Sequence, residues 1–218
     1  MIKRVIHTAI TLAVLLVSCR QDDLPDSMPT AHEGYVALRF SADIPAMQEV
    51  VTRSVDPDGG GVQDMTLFCF DSYGLFTTTV EAKVTPTGNG AGLTGNFEAE
   101  VPENTRTVHF LANQNMSEFK EDKFRNKSEA EVMALLEGSS GRMIYWARFT
   151  CDPDNDSKID AQMADKGNTI KMIRNHAQVS IDNPINGWIE VTGFVAYNTN
   201  AFGTVAPYHP EKGFDFEW

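Results

Sequence analysis

The sequence predicts an all-β fold, an immunoglobulin-like β-sandwich with one short inserted helix. Three observations support this. Seven or eight apolar or alternating runs recur at short spacing. Residues of turn-forming type separate them. A helix signature appears once.

The first strand is Tyr35 to Ile44. Val36, Leu38, Phe40, Ala42 and Ile44 share one face, and Tyr35, Arg39, Ser41 and Asp43 the other. This is the period-two pattern of a half-buried strand. Residues 50–61 follow as an exposed, breaker-rich loop, Val50 to Ser54 and then Asp56-Pro57-Asp58-Gly59-Gly60-Gly61, with Arg53 its one basic residue. Met65 to Phe70 is apolar on both faces and reads as a central strand.

After the turn Asp71-Ser72-Tyr73-Gly74, Leu75 to Val84 reads as a threonine- and valine-rich strand, and Pro86 to Gly95 as a glycine-rich loop. Asn96 to Val101 turns Phe97, Ala99 and Val101 inward and stops at Pro102. Thr105 to Ala112 sets Val108, Phe110 and Ala112 against Thr107, His109 and Leu111. The helix starts in a capping box, with Ser128 as N-cap and Glu131 three residues on. Val132, Leu135 and Leu136 give its apolar stripe and Gly138 ends it, an insert expected to pack on one edge. Strands resume at Arg142 to Phe149, at Thr169 to Asp182 with a break near Arg174-Asn175, and at Trp188 to Tyr197. The sandwich domain is therefore set at residues 35–200. Residues 201–218 carry apolar side chains without a closing polar tail and read as the start of a further segment or a truncated end.

The amino terminus is not part of the fold. Lys3 and Arg4 precede a mostly apolar run, Val5 to Val17, too short to span a bilayer, so residues 1–18 read as a secretory signal. Leu16-Val17-Ser18-Cys19 resembles a bacterial lipobox. That likeness implies signal removal and acylation of Cys19, the palmitate type of anchor, at about 0.8 kcal/mol per buried CH₂. Arg20-Gln21-Asp22-Asp23 resembles the surface-export signal of Bacteroidetes lipoproteins. Residues 19–34, with Pro25 and Pro29, read as a tether. Losing Lys3 and Arg4 leaves 16 of 18 basic residues against 30 acidic ones, a net charge near −14. Such a surface repels nucleic acid and anionic lipid.

Chemistry-bearing residues are sparse. Asp152, Asp154, Asp156 and Asp160 fall at positions 1, 3, 5 and 9 of a calcium loop, which makes this the one candidate for weak Ca²⁺ binding. Ser157 stands where the loop wants glycine and Met163 where it wants glutamate, so an acidic hairpin loop between strands is the simpler reading. Cys69 and Cys151 either pair or remain free core thiols. The histidines lack metal-ligand spacing, no nucleophile motif or phosphate loop occurs, and nothing in the sequence speaks for an enzyme. Trp146, Trp188, Trp218, Tyr145, Tyr197 and Tyr208 offer sugar-stacking rings if exposed. Trp146 and Trp188 are expected in the core.

Several segments together resemble the fimbrillin-like surface lipoproteins of Bacteroides and Porphyromonas. They are the lipobox with Cys19, Thr52-Arg53-Ser54, Val62 to Asp71 with Gly74, Thr107 to Asn113, and Ile173 to Val179. The closing Asn198 to Tyr208 resembles a group of longer Bacteroides lipoproteins. The resemblance implies a transthyretin-like sandwich in the outer membrane or a fimbrium, with other fimbrial subunits or surface proteins as partners. It also implies trypsin-like cutting between Arg53 and Ser54, loss of the lipidated strand Tyr35 to Ile44, and its replacement by an extended segment of another subunit. The family's second domain and carboxy-terminal donor strand have no counterpart in these residues. An uncut, anchored accessory subunit is the alternative within the family, and a glycan-binding surface lipoprotein is the alternative outside it.

Overall fold

The computed structural model describes residues 31–44, 61–86, 95–139, 143–175, 193, 195, 197, 202–209 and 211–214. The chain divides into two units, Met1–Thr30 and Ala31–Trp218, and all described residues belong to the second.

Two sheets face each other. One is built from β1 (Tyr35–Asp43), β4 (Lys83–Pro86), β5 (Gly95–Pro102) and β9 (Thr169–Lys171), in the order β4-β5-β1-β9. β1 runs antiparallel to β5, with Val36 opposite Val101 and Phe40 opposite Phe97, and parallel to β9 from Ser41 to Asp43. The other sheet has β2 (Met65–Phe70), β3 (Phe76–Glu81), β6 (Thr107–Ala112), β8 (Tyr145–Thr150) and β10 (Ile173–Arg174), in the order β10-β8-β6-β2-β3, antiparallel throughout. The fold is an all-β sandwich, as the alternating runs predict.

Alternation builds the core between the sheets. Val36, Leu38, Phe40, Ala42 and Ile44 meet Phe97, Ala99 and Val101 from one sheet, and Met65, Leu67, Val108, Phe110 and Ala147 from the other. A second apolar cluster lies on the outer face of the five-stranded sheet. There Phe68, Phe70, Leu111 and Trp146 are covered by Phe124, by Val132, Met133 and Leu136, and by Val205, Ala206 and Phe214. With both faces covered, every residue of β2 and β6 is buried. This accounts for the doubly apolar run at Met65 to Phe70.

The capping box forms. Helix α1 (Glu129–Ala134) has Ser128 N–H donating to Glu131 Oε2 at 2.8 Å and Glu131 N–H to Ser128 Oγ at 3.5 Å. The insert meets the edge of β3 through the Leu75–Ser128 bridge. Its apolar side lies on the sheet's face, however, and not on one edge as expected. Two single-residue breaks also differ from expectation. The run Leu75 to Val84 changes sheets at Ala82, whose N–H donates to Met65 O, and Thr169 to Arg174 changes sheets at Met172. The acidic stretch after β8 is not a hairpin loop between paired strands. It leads into a second helix, α2 (Ile159–Asp165), and then to β9 in the opposite sheet. β7 (Glu137–Ser139) pairs with β11 (Phe202–Thr204). The strand expected at Trp188 to Tyr197 lies outside the described residues, save exposed Gly193, Val195 and Tyr197.

Candidate functional site

The candidate site is β1 with the stems of the loop that follows it. Five β1-side residues point into the core: Val36, Leu38, Phe40, Ala42 and Ile44 are 6%, 1%, 3%, 1% and 5% exposed. Phe40 stacks on Phe97 with centroids 5.4 Å apart and meets Phe110 edge-on at 5.0 Å. The four larger side chains contribute roughly 1.5–3 kcal/mol each. Their sum is comparable to the whole stability of a typical domain. β1 therefore supplies a large share of the apolar burial between the sheets.

The outward residues contribute little. Arg39 Nε reaches Glu98 Oε1 at 3.1 Å, with both side chains about half exposed, a geometry of small net value. His32 Nδ1 lies 2.5 Å from Glu100 Oε2, and this hydrogen bond raises the imidazole's pKa and lowers the carboxyl's. An open cleft of about 310 Å³ lies where Arg39 to Ser41, Asn96 to Glu98 and Gly167-Asn168 meet.

The two stems of the loop are held by separate bonds. On the β1 side, Ser41 N–H donates to Asn168 O and Met172 N–H donates to Asp43 O, both at 2.8 Å. On the β2 side, Asn113 does the holding. Its Nδ2 donates to Gly61 O at 2.8 Å and to Met143 O at 3.3 Å, and its Oδ1 accepts from Gln63 N–H at 2.8 Å. Asn113 is buried and left-handed, with φ of 63°, a conformation asparagine tolerates better than most residues. The sequence carries this residue at the end of the run Thr107 to Asn113, yet nothing there reveals its contacts. Residues 45–60 between the stems, including Arg53 and Ser54, lie outside the described residues, as does Cys19.

The acidic loop is organised by an amide. Gln162, 5% exposed in α2, accepts from Asp152 N–H at 2.7 Å and donates to Asn155 O and Ser157 O at 3.0 and 2.9 Å. Asp152 Oδ1 accepts from Asp154 N–H, an Asx turn. Asp160 sits in the first turn of α2. Among the described residues no three His, Cys, Asp or Glu side chains converge on a metal position.

The remaining candidates are resolved by burial. Cys69 and Cys151 are both free and buried, and desolvation pushes the Cys69 thiol up to about 12. Tyr145 and Trp146 are 0% and 3% exposed and cannot stack on a sugar, whereas Tyr197 and Tyr208 are 90% and 56% exposed. Trp188 and Trp218 lie outside the described residues. No helix among the described residues is long and apolar enough to cross a membrane.

Sequence reasoning missed a buried polar cluster on the outer face of the five-stranded sheet. Trp146 Nε1–H donates to His109 Nδ1 at 2.9 Å, which leaves His109 Nε2–H to donate to Glu129 Oε1 at 2.6 Å. Arg148 donates to the same carboxylate through Nε at 2.5 Å and through Nη2 at 3.2 Å. Burial alone would push the Glu129 carboxyl up. The hydrogen bonds from His109 and Arg148 outweigh it and draw the pKa down to about 2.

No protein-family model matches the chain, and neither does any curated protein. Among solved structures, the fold is similar to the crystal structure of a fimbrial assembly protein from Parabacteroides distasonis. The TM-score is 0.39 and the identity 13%, over 82% of this chain and 69% of that one.

Proposed function

We propose that the chain is a structural or adhesive surface lipoprotein, a fimbrial subunit or accessory subunit that assembles by β-strand exchange. In this reading Cys19 carries the lipid that holds it at the outer membrane, and cutting between Arg53 and Ser54 frees β1 from β2. An extended segment of another subunit then takes the place of β1.

The observation that carries the reading is the manner in which β1 is attached. It fills the core by alternate side chains and the sheet by a ladder to β5, both of which any extended segment of like pattern can reproduce. Its two loop stems are held separately, so a cut between them breaks neither set of bonds.

The test is the amino-terminal residue of the protein recovered from outer membranes. Ser54 without lipid supports processing and exchange. Acylated Cys19 with the loop intact refutes cutting at this site and leaves an anchored accessory subunit.

A further inference from the structure

We propose that His109 is an acid-sensitive latch, whose protonation loosens α1 and the segment 202–214 from the outer face of the five-stranded sheet. This goes beyond strand exchange at β1 and does not depend on it.

His109 stands in the middle of β6 with its side chain fully buried. Both ring nitrogens are committed, Nδ1 as acceptor from Trp146 and Nε2 as donor to Glu129. The ring also packs against Phe70 at 5.5 Å and edge-on to Phe214 at 5.0 Å. One imidazole thus touches β2, β8, α1 and the carboxy-terminal segment.

Among the described residues, the charged groups that face it are Glu129 from α1 and Arg148 from β8. Among the described residues, β2 and the carboxy-terminal segment meet the ring through Phe70 and Phe214. The Glu129 carboxylate is already matched by the Arg148 guanidinium. A second proton on the imidazole sets Nδ1–H against the Trp146 Nε1–H, two donors with no acceptor between them. It also places a second cation beside Arg148 within an apolar layer. Phe70 and Phe214 supply no compensating acceptor, and burial accordingly holds the imidazole below its usual pKa.

The layer above the ring is lightly built. α1 has six residues, and β11 meets β7 over three pairs. It can part from the sheet while the core between the sheets stays closed. Parting uncovers Phe68, Phe70, Leu111 and Trp146.

Segment-resolved hydrogen exchange on the full chain, corrected for intrinsic rates, tests this between pH 7 and 5. Protection of Glu129–Ala134 and Phe202–Thr204 is expected to fall by up to about tenfold per pH unit below 6.5, while β1 and β5 keep theirs. His109→Gln keeps an acceptor for Trp146 and a donor for Glu129 but gains no proton, and it should abolish the fall. Unchanged protection in the wild type overturns the proposal, as does simultaneous loss in β1 and β5, or an equal fall in His109→Gln. The wild-type profile decides even where the variant does not fold.

Discussion

Asn113 holds the carbonyl of Gly61 through a 2.8 Å side-chain hydrogen bond, so the chain entering β2 is fastened to the end of β6. The same side chain accepts from Gln63 N–H. Asn113→Ala leaves both groups unmatched and forces alanine into a left-handed conformation. A loss of about 2–4 kcal/mol in urea unfolding is expected. Asn113→Gly, free of the conformational cost, should lose about 1 kcal/mol less.

Inward and outward β1 residues should separate cleanly. Phe40→Ala opens a cavity between Phe97 and Phe110 and should cost about 3–5 kcal/mol. Arg39→Ala breaks a half-exposed ion pair and should cost under about 1 kcal/mol. Thermal or urea denaturation of the two variants side by side checks the contrast.

Much of this is legible in the sequence, and the limits have physical causes. β1 and β5 could be read because period-two alternation is a local consequence of strand geometry. The capping box was legible for the same reason, since Ser128 and Glu131 satisfy each other within one turn. Helix α2 was missed because Lys158 supplies no side-chain cap and the acidic run before it looks like a loop. Its signal was the Ile159–Met163 pair at helical spacing. The changes of sheet at Ala82 and Met172 leave no local mark. Nothing local marks Glu129, because its partners, His109 and Arg148, lie about 20 residues away and meet it only through the tertiary fold.

Acid should unfold the domain partly through Glu129. Its carboxyl sits at about 2 in the folded chain against 4.5 unperturbed. A carboxyl lowered by folding stabilises above pH 4.5, and its contribution is lost as pH falls toward 2, up to about 3 kcal/mol in all. Glu129→Gln should be less stable at pH 7 and flatter between pH 4.5 and 2. Urea unfolding across that range measures both.

Gln162 should behave as the keystone of the 152–158 loop. Gln162→Ala leaves Asp152 N–H, Asn155 O and Ser157 O without their partner and should cost about 1–3 kcal/mol. Exchange of the Asp152 amide should rise in step.

Strand replacement in the purified chain tests the central claim most directly. The loop is cut at Arg53 with a protease of trypsin specificity, and an excess of labelled peptide spanning Gly34 to Ile44 is added. The account predicts that the cut chain alone keeps its original β1 fragment and stays folded, held by the β5 ladder and the buried Val36, Leu38, Phe40 and Ile44. With peptide present, the fragment should be exchanged one for one. A fragment that leaves unaided with the rest still folded, or a peptide that never enters, would contradict the account.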